Sequence, residues 1–203
     1  MTRAPPARPV ATLGLSALAL SGCALLSRGQ ALHVRYYDPE ALSPRAAAAG
    51  PPSGECELSL GRVSAGDDLR DEIALRSAPH EVAYYEDRRW TETPDNYLRR
   101  AIERALFEQS RCRRTLSATG PTLDLSLVGF EELRSPEAAR VAVHLMLHDD
   151  TTVLCESSVE VTRPAGAGGF DAFVGAMGAA LDDVVSQVTG RVIEAMRARS
   201  AAR

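Results

Sequence analysis

Beyond its first thirty residues the chain alternates between two hydrophobic periods. "ALHVRYY" (31–37) alternates with period two and places Leu32, Val34 and Tyr36 on one face of a short strand. "CELSLGRV" (56–63) puts Cys56, Leu58 and Leu60 together on a half-buried strand. "EIALRS" (72–77) and "HEVAYYE" (80–86) are two more strands, with Ala78-Pro79 as the turn between them. Later, "TLDLSLVGFEEL" (122–133) alternates Leu123, Leu125 and Leu127 against Asp124 and Ser126. "ARVAVHLMLHD" (139–149) turns Val141, Val143, Leu145 and Leu147 inward, and "TVLCESSVEV" (152–161) groups Val153, Cys155, Val159 and Val161. His148-Asp149-Asp150-Thr151 reads as the hairpin turn between these last two.

The period changes to 3.6 in two places. After Trp90, "TETPDNYLRRAIERALFEQ" carries Thr93 as an N-cap, Pro94 at the first helical position and Asp95 beside the positive helix end. Apolar residues follow at 97/98, 101/102 and 105/106, while Arg99, Arg100, Glu103 and Arg104 form a solvated face. Trp90 packs against the first turn as a staple or faces a partner. The second helix covers about 171–199, with Phe170, Phe173, Met177, Leu181, Val184, Val188, Val192 and Met196 at spacings of three and four. Gly175, Gly178, Ala179 and Ala180 would let it approach a sheet closely. The pattern predicts a single α+β domain with a mixed, mostly antiparallel β-sheet. An amphipathic helix (about 94–110) and the long C-terminal helix (about 171–199) would cover it. "SPRAAAAGPPSG" (43–54) is a flexible linker within that domain, and "RPAGAGG" (163–169) a shorter connection. The domain proper spans 31–203, and there is no internal repeat.

Composition adds a constraint on partners. The 203 residues, 45% hydrophobic and 25% charged, suit one domain with a real core. All 23 basic residues are Arg, which together with many Ala, Gly and Pro reflects base composition and not an arginine-fork surface. Only Arg3 and Arg8 lie in residues 1–22, with no acid there. The remainder therefore carries 21 Arg against 27 acids, a net charge of −6. Such a domain is a poor ligand for nucleic acid, and its attachment to a membrane would be covalent or hydrophobic.

Residues 1–22 have the layout of a signal peptide. Arg3 and Arg8 form a positive n-region, and Val10 to Leu20 is an uncharged Leu/Ala-rich run too short to span a bilayer. An uncleaved anchor extending to Leu26 is disfavoured by the small, turn-prone Ser21-Gly22-Cys23-Ala24. Leu20-Ser21-Gly22-Cys23 resembles the lipobox of bacterial lipoproteins. That resemblance implies cleavage before Cys23 and acylation of its thiol and new N-terminus, with 23–30 as a tether. Ala24 stands where an Asp would favour inner-membrane retention, so the resemblance implies the periplasmic face of the outer membrane.

Catalytic signatures are missing from the sequence. His144 and His148 have helical metal-pair spacing but lie on a strand, where residues four apart are about 13 Å apart. Gly166-Ala167-Gly168-Gly169 lacks the Lys-Ser/Thr of a phosphate loop. No nucleophile elbow, His-Glu-x-x-His or Cys-x-x-Cys occurs, so neither enzyme chemistry, metal nor cofactor is expected. An exported chain permits one disulfide. Cys56 opens a strand and Cys112 opens whatever follows the first helix. If those segments are parallel neighbours joined by a crossover, a Cys56–Cys112 bond is feasible, leaving Cys155 as a buried thiol.

The whole arrangement resembles the ABC-type transport auxiliary lipoprotein family, which includes the accessory lipoprotein of the paraquat-inducible MCE system. The resemblance rests on the lipobox at Cys23, "VRYYDPEA", "LGRV", "IALRSAPHEVAYYEDRRWTETPDNYLRRAIERALFEQ", "LDLSLVGFEEL" and a terminal helix. It implies a non-catalytic α+β lipoprotein that docks on or caps the lipid conduit of an MCE-domain protein, as a ring of copies. Tyr84, Tyr85 and Trp90 are the expected partner contacts. The competing readings are a self-contained periplasmic lipid carrier and a hydrolase with scattered catalytic residues.

Overall fold

The computed structural model describes residues 32–40, 53–116 and 120–202. The expected signal peptide (1–22), Cys23, the expected 23–30 tether and nearly all of the expected 43–54 linker lie outside the described residues. Contacts divide the chain into Met1–His33 and Val34–Arg203. Of the first unit only Leu32 and His33 are described, both exposed.

The second unit is an eight-stranded mixed sheet with two helices on one face. In chain order the elements are β1 (Arg35–Tyr37), β2 (Ser53–Ala65), β3 (Glu72–Ala78), β4 (Glu81–Trp90), α1 (Pro94–Glu103), a π-helical turn (Arg104–Gln109), β5 (Cys112–Arg114), β6 (Thr122–Arg134), β7 (Glu137–His148), β8 (Val153–Pro164) and α2 (Gly169–Ala201). Strand β6 is the axis. One edge pairs antiparallel with β7 along its whole length, and β7 pairs with β8. The other edge takes two strands end to end, both parallel: β2 beside Thr122–Leu127 and β3 beside Glu131–Leu133. Strands β5 and β1 lie outermost beyond them, parallel to β2 and β4. The longest pairings are antiparallel as expected, yet four of the seven described ladders are parallel. Crossovers that carry the chain over the helical face return it in the same direction, which a reading of strand lengths alone does not reveal.

Alternation along β6 and β7 sorts the two faces. Leu123, Leu125, Leu127, Val141, Val143, Leu145 and Leu147 face the helices and are at most 2% exposed. From α1 come Tyr97, Leu98, Ala101 and Ile102, and from α2 Phe173, Met177, Leu181, Val184, Val188 and Val192. Burying side chains of this size contributes roughly 1.5–3 kcal/mol each before entropy is charged. A β-bulge at Leu127/Gly129 leaves Val128 57% exposed and restores the inward register at Phe130.

Several local expectations change. In β1 it is Tyr37 that turns inward, 4.6 Å from the Phe170 ring, while Tyr36 is 66% exposed. One residue of register flips every side chain, and the aromatic contact decides it. Ser53 and Gly54, expected in the linker, already belong to β2. Gly178 does not admit the sheet. A Cβ there would sit 2.2 Å from the Pro39 carbonyl oxygen, so the glycine admits the backbone that follows β1. The polar side of α1 is only half exposed, because Arg100 and Arg104 pair with Glu40 and Arg100 also reaches Glu92. Val153 is 50% exposed, since a register shift at the start of β8 sets it opposite His148 on the open face.

Candidate docking site

Strand β4 delivers its residues to different places. Trp90, expected at a partner surface, is 1% exposed. It lies in the core between Phe130 (5.3 Å), Phe173 (6.2 Å) and Tyr97 (6.4 Å), close to the first turn of α1 as the staple reading required. An indole this deep supports a surface from beneath and cannot touch a partner. Tyr84 and Tyr85, one residue apart, point to opposite faces of the sheet. Tyr84 pairs with Ala74 on the helix-free face, is 42% exposed, and donates its hydroxyl to the Asp68 carbonyl. Tyr85 turns towards the helices.

On the helix side Tyr85 enters a corner made by β1, β4, β6 and the first turn of α2. Its hydroxyl donates to Glu132 at 2.6 Å and accepts from Arg134 at 2.9 Å. Burial, then the bond to the Glu132 carboxylate, pushes its pKa up to about 12. Phe170 stacks edge-on with Tyr85 at 5.2 Å and with Tyr37 at 4.6 Å. The Arg88 guanidinium lies over both Phe170 (4.1 Å) and Tyr85 (4.6 Å), and Arg35 over Tyr37 (5.4 Å). Phe170 passes contact inward to Phe173 and so to Trp90. The Tyr37 hydroxyl and the Arg88 Nε–H are buried there without a hydrogen-bond partner among the described residues, although Asp87 lies 3.7 Å from the Arg88 Nε. This corner is not legible in the sequence. Arg88, Arg134 and Phe170 come from three separate elements, and no local pattern says that they meet.

The helix-free face carries a row of paired charges. Glu131, 3% exposed, accepts from Arg76 (3.0 Å) and Arg140 (2.7 Å), and Arg140 continues to Glu160 (2.8 Å). Further along the same face His148 bonds Asp124 at 3.1 Å, and that bond raises its pKa. His144 instead meets Ser158 and Glu156, both at 3.3 Å, so the two histidines have separate partners. Among the described residues, no group of three His, Cys, Asp or Glu side chains is placed to hold a metal. Gly166 to Gly169 forms the turn into α2, with Gly166 and Gly169 at positive φ. Between the π-helical turn and α2 lies a half-open cleft of about 270 Å³, lined by Arg104, Gln109 and Thr189 among others.

Cys56 and Cys112 are bonded, Cα to Cα 4.8 Å, where β5 runs parallel beside the start of β2. Cys155 is free and half-buried rather than buried. Among the described residues, no helix is long and apolar enough to cross a membrane.

Comparison with known proteins agrees with this architecture. A protein from Xanthomonas campestris, XCC0632, superposes with a TM-score of 0.68 at 19% identity, covering 82% of this chain and 99% of its own. An uncharacterised protein of known structure superposes at 0.63 with 13% identity, covering 79% and 99%. At these identities the likeness is one of fold. No curated protein matches the chain. The model of a family described as the ABC-type transport auxiliary lipoprotein component matches residues 41–189. The chain belongs to that family of transport auxiliary lipoproteins.

Proposed function

We propose that this protein is a non-catalytic, lipid-anchored component of an ABC-driven, MCE-type lipid transport system. It docks on or caps the lipid conduit at the periplasmic face of the outer membrane. The observation that carries this reading is the family match across residues 41–189. Cys23 supplies the anchor, and an MCE-domain protein is the partner. The helix-free sheet face, where Tyr84, Val128 and Val153 are exposed, is the surface that meets it, with copies of the chain assembling as a ring. The packing of the domain supports docking over carriage. The space between sheet and helices is filled by Trp90, Tyr97, Phe130, Phe173, Leu58 and Ile73, each at most 1% exposed, so no acyl chain fits beneath α2 without displacing them.

The test is co-purification of the acylated full-length chain with the MCE-domain protein of the same organism, followed by lipid extraction. The expected result is a stable complex, weakened by Tyr84→Ala, with no stoichiometric lipid on the isolated lipoprotein. Stoichiometric phospholipid on the monomer, with no association, would replace this reading with the carrier.

A further inference from the structure

The exit point of the N-terminal tether is fixed by contacts in the domain. Immediately after β1 the backbone at Pro39 packs onto Gly178 of α2, and Glu40 is held by Arg100 (3.1 Å) and Arg104 (3.3 Å). Strand β1 itself is zipped to the end of β4, Arg35 beside Arg88 and Tyr37 beside Trp90. Only residues 24–34 separate Cys23 from this strand. Eleven residues reach at most about 40 Å when fully extended. That is close to the diameter of a compact domain the size of Val34–Arg203. An eleven-residue tether of this reach sets an upper limit on how far the β1 edge can stand from an acylated Cys23.

The residues at that edge suit a lipid headgroup layer. Tyr36 is 66% exposed, an amphipathic ring of the kind that settles at the membrane interface. Arg35 and Arg134 are exposed and Arg88 partly so, set among the rings of Tyr37, Tyr85 and Phe170. Of the carboxylates at the edge, Glu132 is shared by Tyr85 and Arg134, Asp87 sits 3.7 Å from Arg88, exposed Glu137 stands opposite Arg134, and Asp38 accepts from the backbone of Glu40, so the edge is a mixed rim in which Arg88 and Arg134 each already have an acidic neighbour. In a domain (31–203) with 20 Arg against 27 acids, a net charge of −7, this is a place where arginines and aromatic rings converge. Guanidinium groups bind phosphate through paired donors, and an arginine backed by rings keeps its orientation.

We propose that the β1 edge, with Tyr36, Arg35, Arg88 and Arg134, rests on the phospholipid headgroup layer of the membrane that holds the anchor. The acyl chains give attachment, and this edge gives orientation, holding the sheet at a set angle to the bilayer. The inference depends on acylation of Cys23, so its test separates the two. The acylated full-length chain carrying Cys155→Ser and either Tyr36→Cys or Leu116→Cys is labelled with an environment-sensitive fluorophore. It is then reconstituted into phosphatylethanolamine/phosphatidylglycerol vesicles containing a nitroxide-headgroup quencher. Leu116, 96% exposed just beyond β5 at the other end of the strand path, is the control.

The expected result is strong quenching at position 36 and little at 116. Arg35→Ser and Arg134→Ser should each reduce the apposed-to-lifted equilibrium about fivefold, the equivalent of about 1 kcal/mol per arginine at an anionic surface. Equal quenching at the two positions in chains that float with the vesicles overturns the proposal and leaves the anchor standing. Chains that fail to float overturn both.

Discussion

Burial and a carboxylate bond govern the ionisation of Tyr85, and hydrogen bonds to Asp124 and to the Asp149 backbone govern that of His148. The Tyr85 hydroxyl is held neutral by burial and by its bond to Glu132, with its pKa raised to about 12 from an ordinary value near 10. A group that keeps its proton longer in the folded chain loses its stabilising contribution as pH rises, here between about 10 and 12. Ultraviolet titration should show one tyrosine ionising last, its step absent in Tyr85→Phe and moved to lower pH in Glu132→Gln. His148 is raised above an ordinary imidazole by its bond to Asp124, so its contribution is complete below about pH 6.5 and disappears as pH climbs through the raised value. Proton NMR should find the His148 pKa brought back towards the ordinary value in Asp124→Asn. An unchanged midpoint would mean that the pair does not form in solution. The first pairing joins strands far apart in sequence and the second reaches diagonally across the β6–β7 hairpin, and neither partner could be named from alternation alone.

Among the elements, the helices and long strands were legible because each carries its own period. The π-helical turn was not, since Arg104–Gln109 continues the apolar spacing of α1 and differs only in closing a wider ring, Ser110 N–H to the Ala105 carbonyl at 2.9 Å. Nor was the side on which Tyr36 and Tyr37 fall. A three-residue strand holds too few alternations to fix its own register, and the Phe170 ring fixes it instead. The Cys56–Cys112 bond ties β5 back to β2 across a separation of 56 residues and fastens the return from the π-helical turn. Removing both cysteines should lower stability by about 2–4 kcal/mol through the closed-loop entropy. Thermal unfolding of the Cys56→Ala, Cys112→Ala double variant measures this. Non-reducing peptide mapping should yield the 56–112 pair, and a Cys155 cross-link to either cysteine would contradict it.

For the whole molecule the proposed anchor at Cys23 is the feature to test first. Cys23→Ser should abolish acylation and move the protein from the membrane fraction to the soluble periplasm, while leaving the spectroscopic signature of the folded domain unchanged. Persistence of Cys23→Ser in the membrane fraction would require a different mode of attachment. The family match and the shared fold describe the domain that such an anchor would hold.

By itself the sequence determined the fold class, the extents of the long elements to within a few residues, the inward faces of β6, β7, α1 and α2, and the resemblance to the auxiliary lipoproteins. Each of these is written in local periodicity or short motifs, which the chain carries whatever its distant parts do. Only the tertiary structure decided that Trp90 lies in the core, that Tyr84 and Tyr85 part to opposite faces, that Gly178 seats the Pro39 carbonyl, and that Arg88, Arg134 and Phe170 meet at the β1 edge. Those outcomes depend on which elements become neighbours. Neighbours are chosen by the packing of faces and by the direction of crossovers, a property of the assembled chain that no single segment contains.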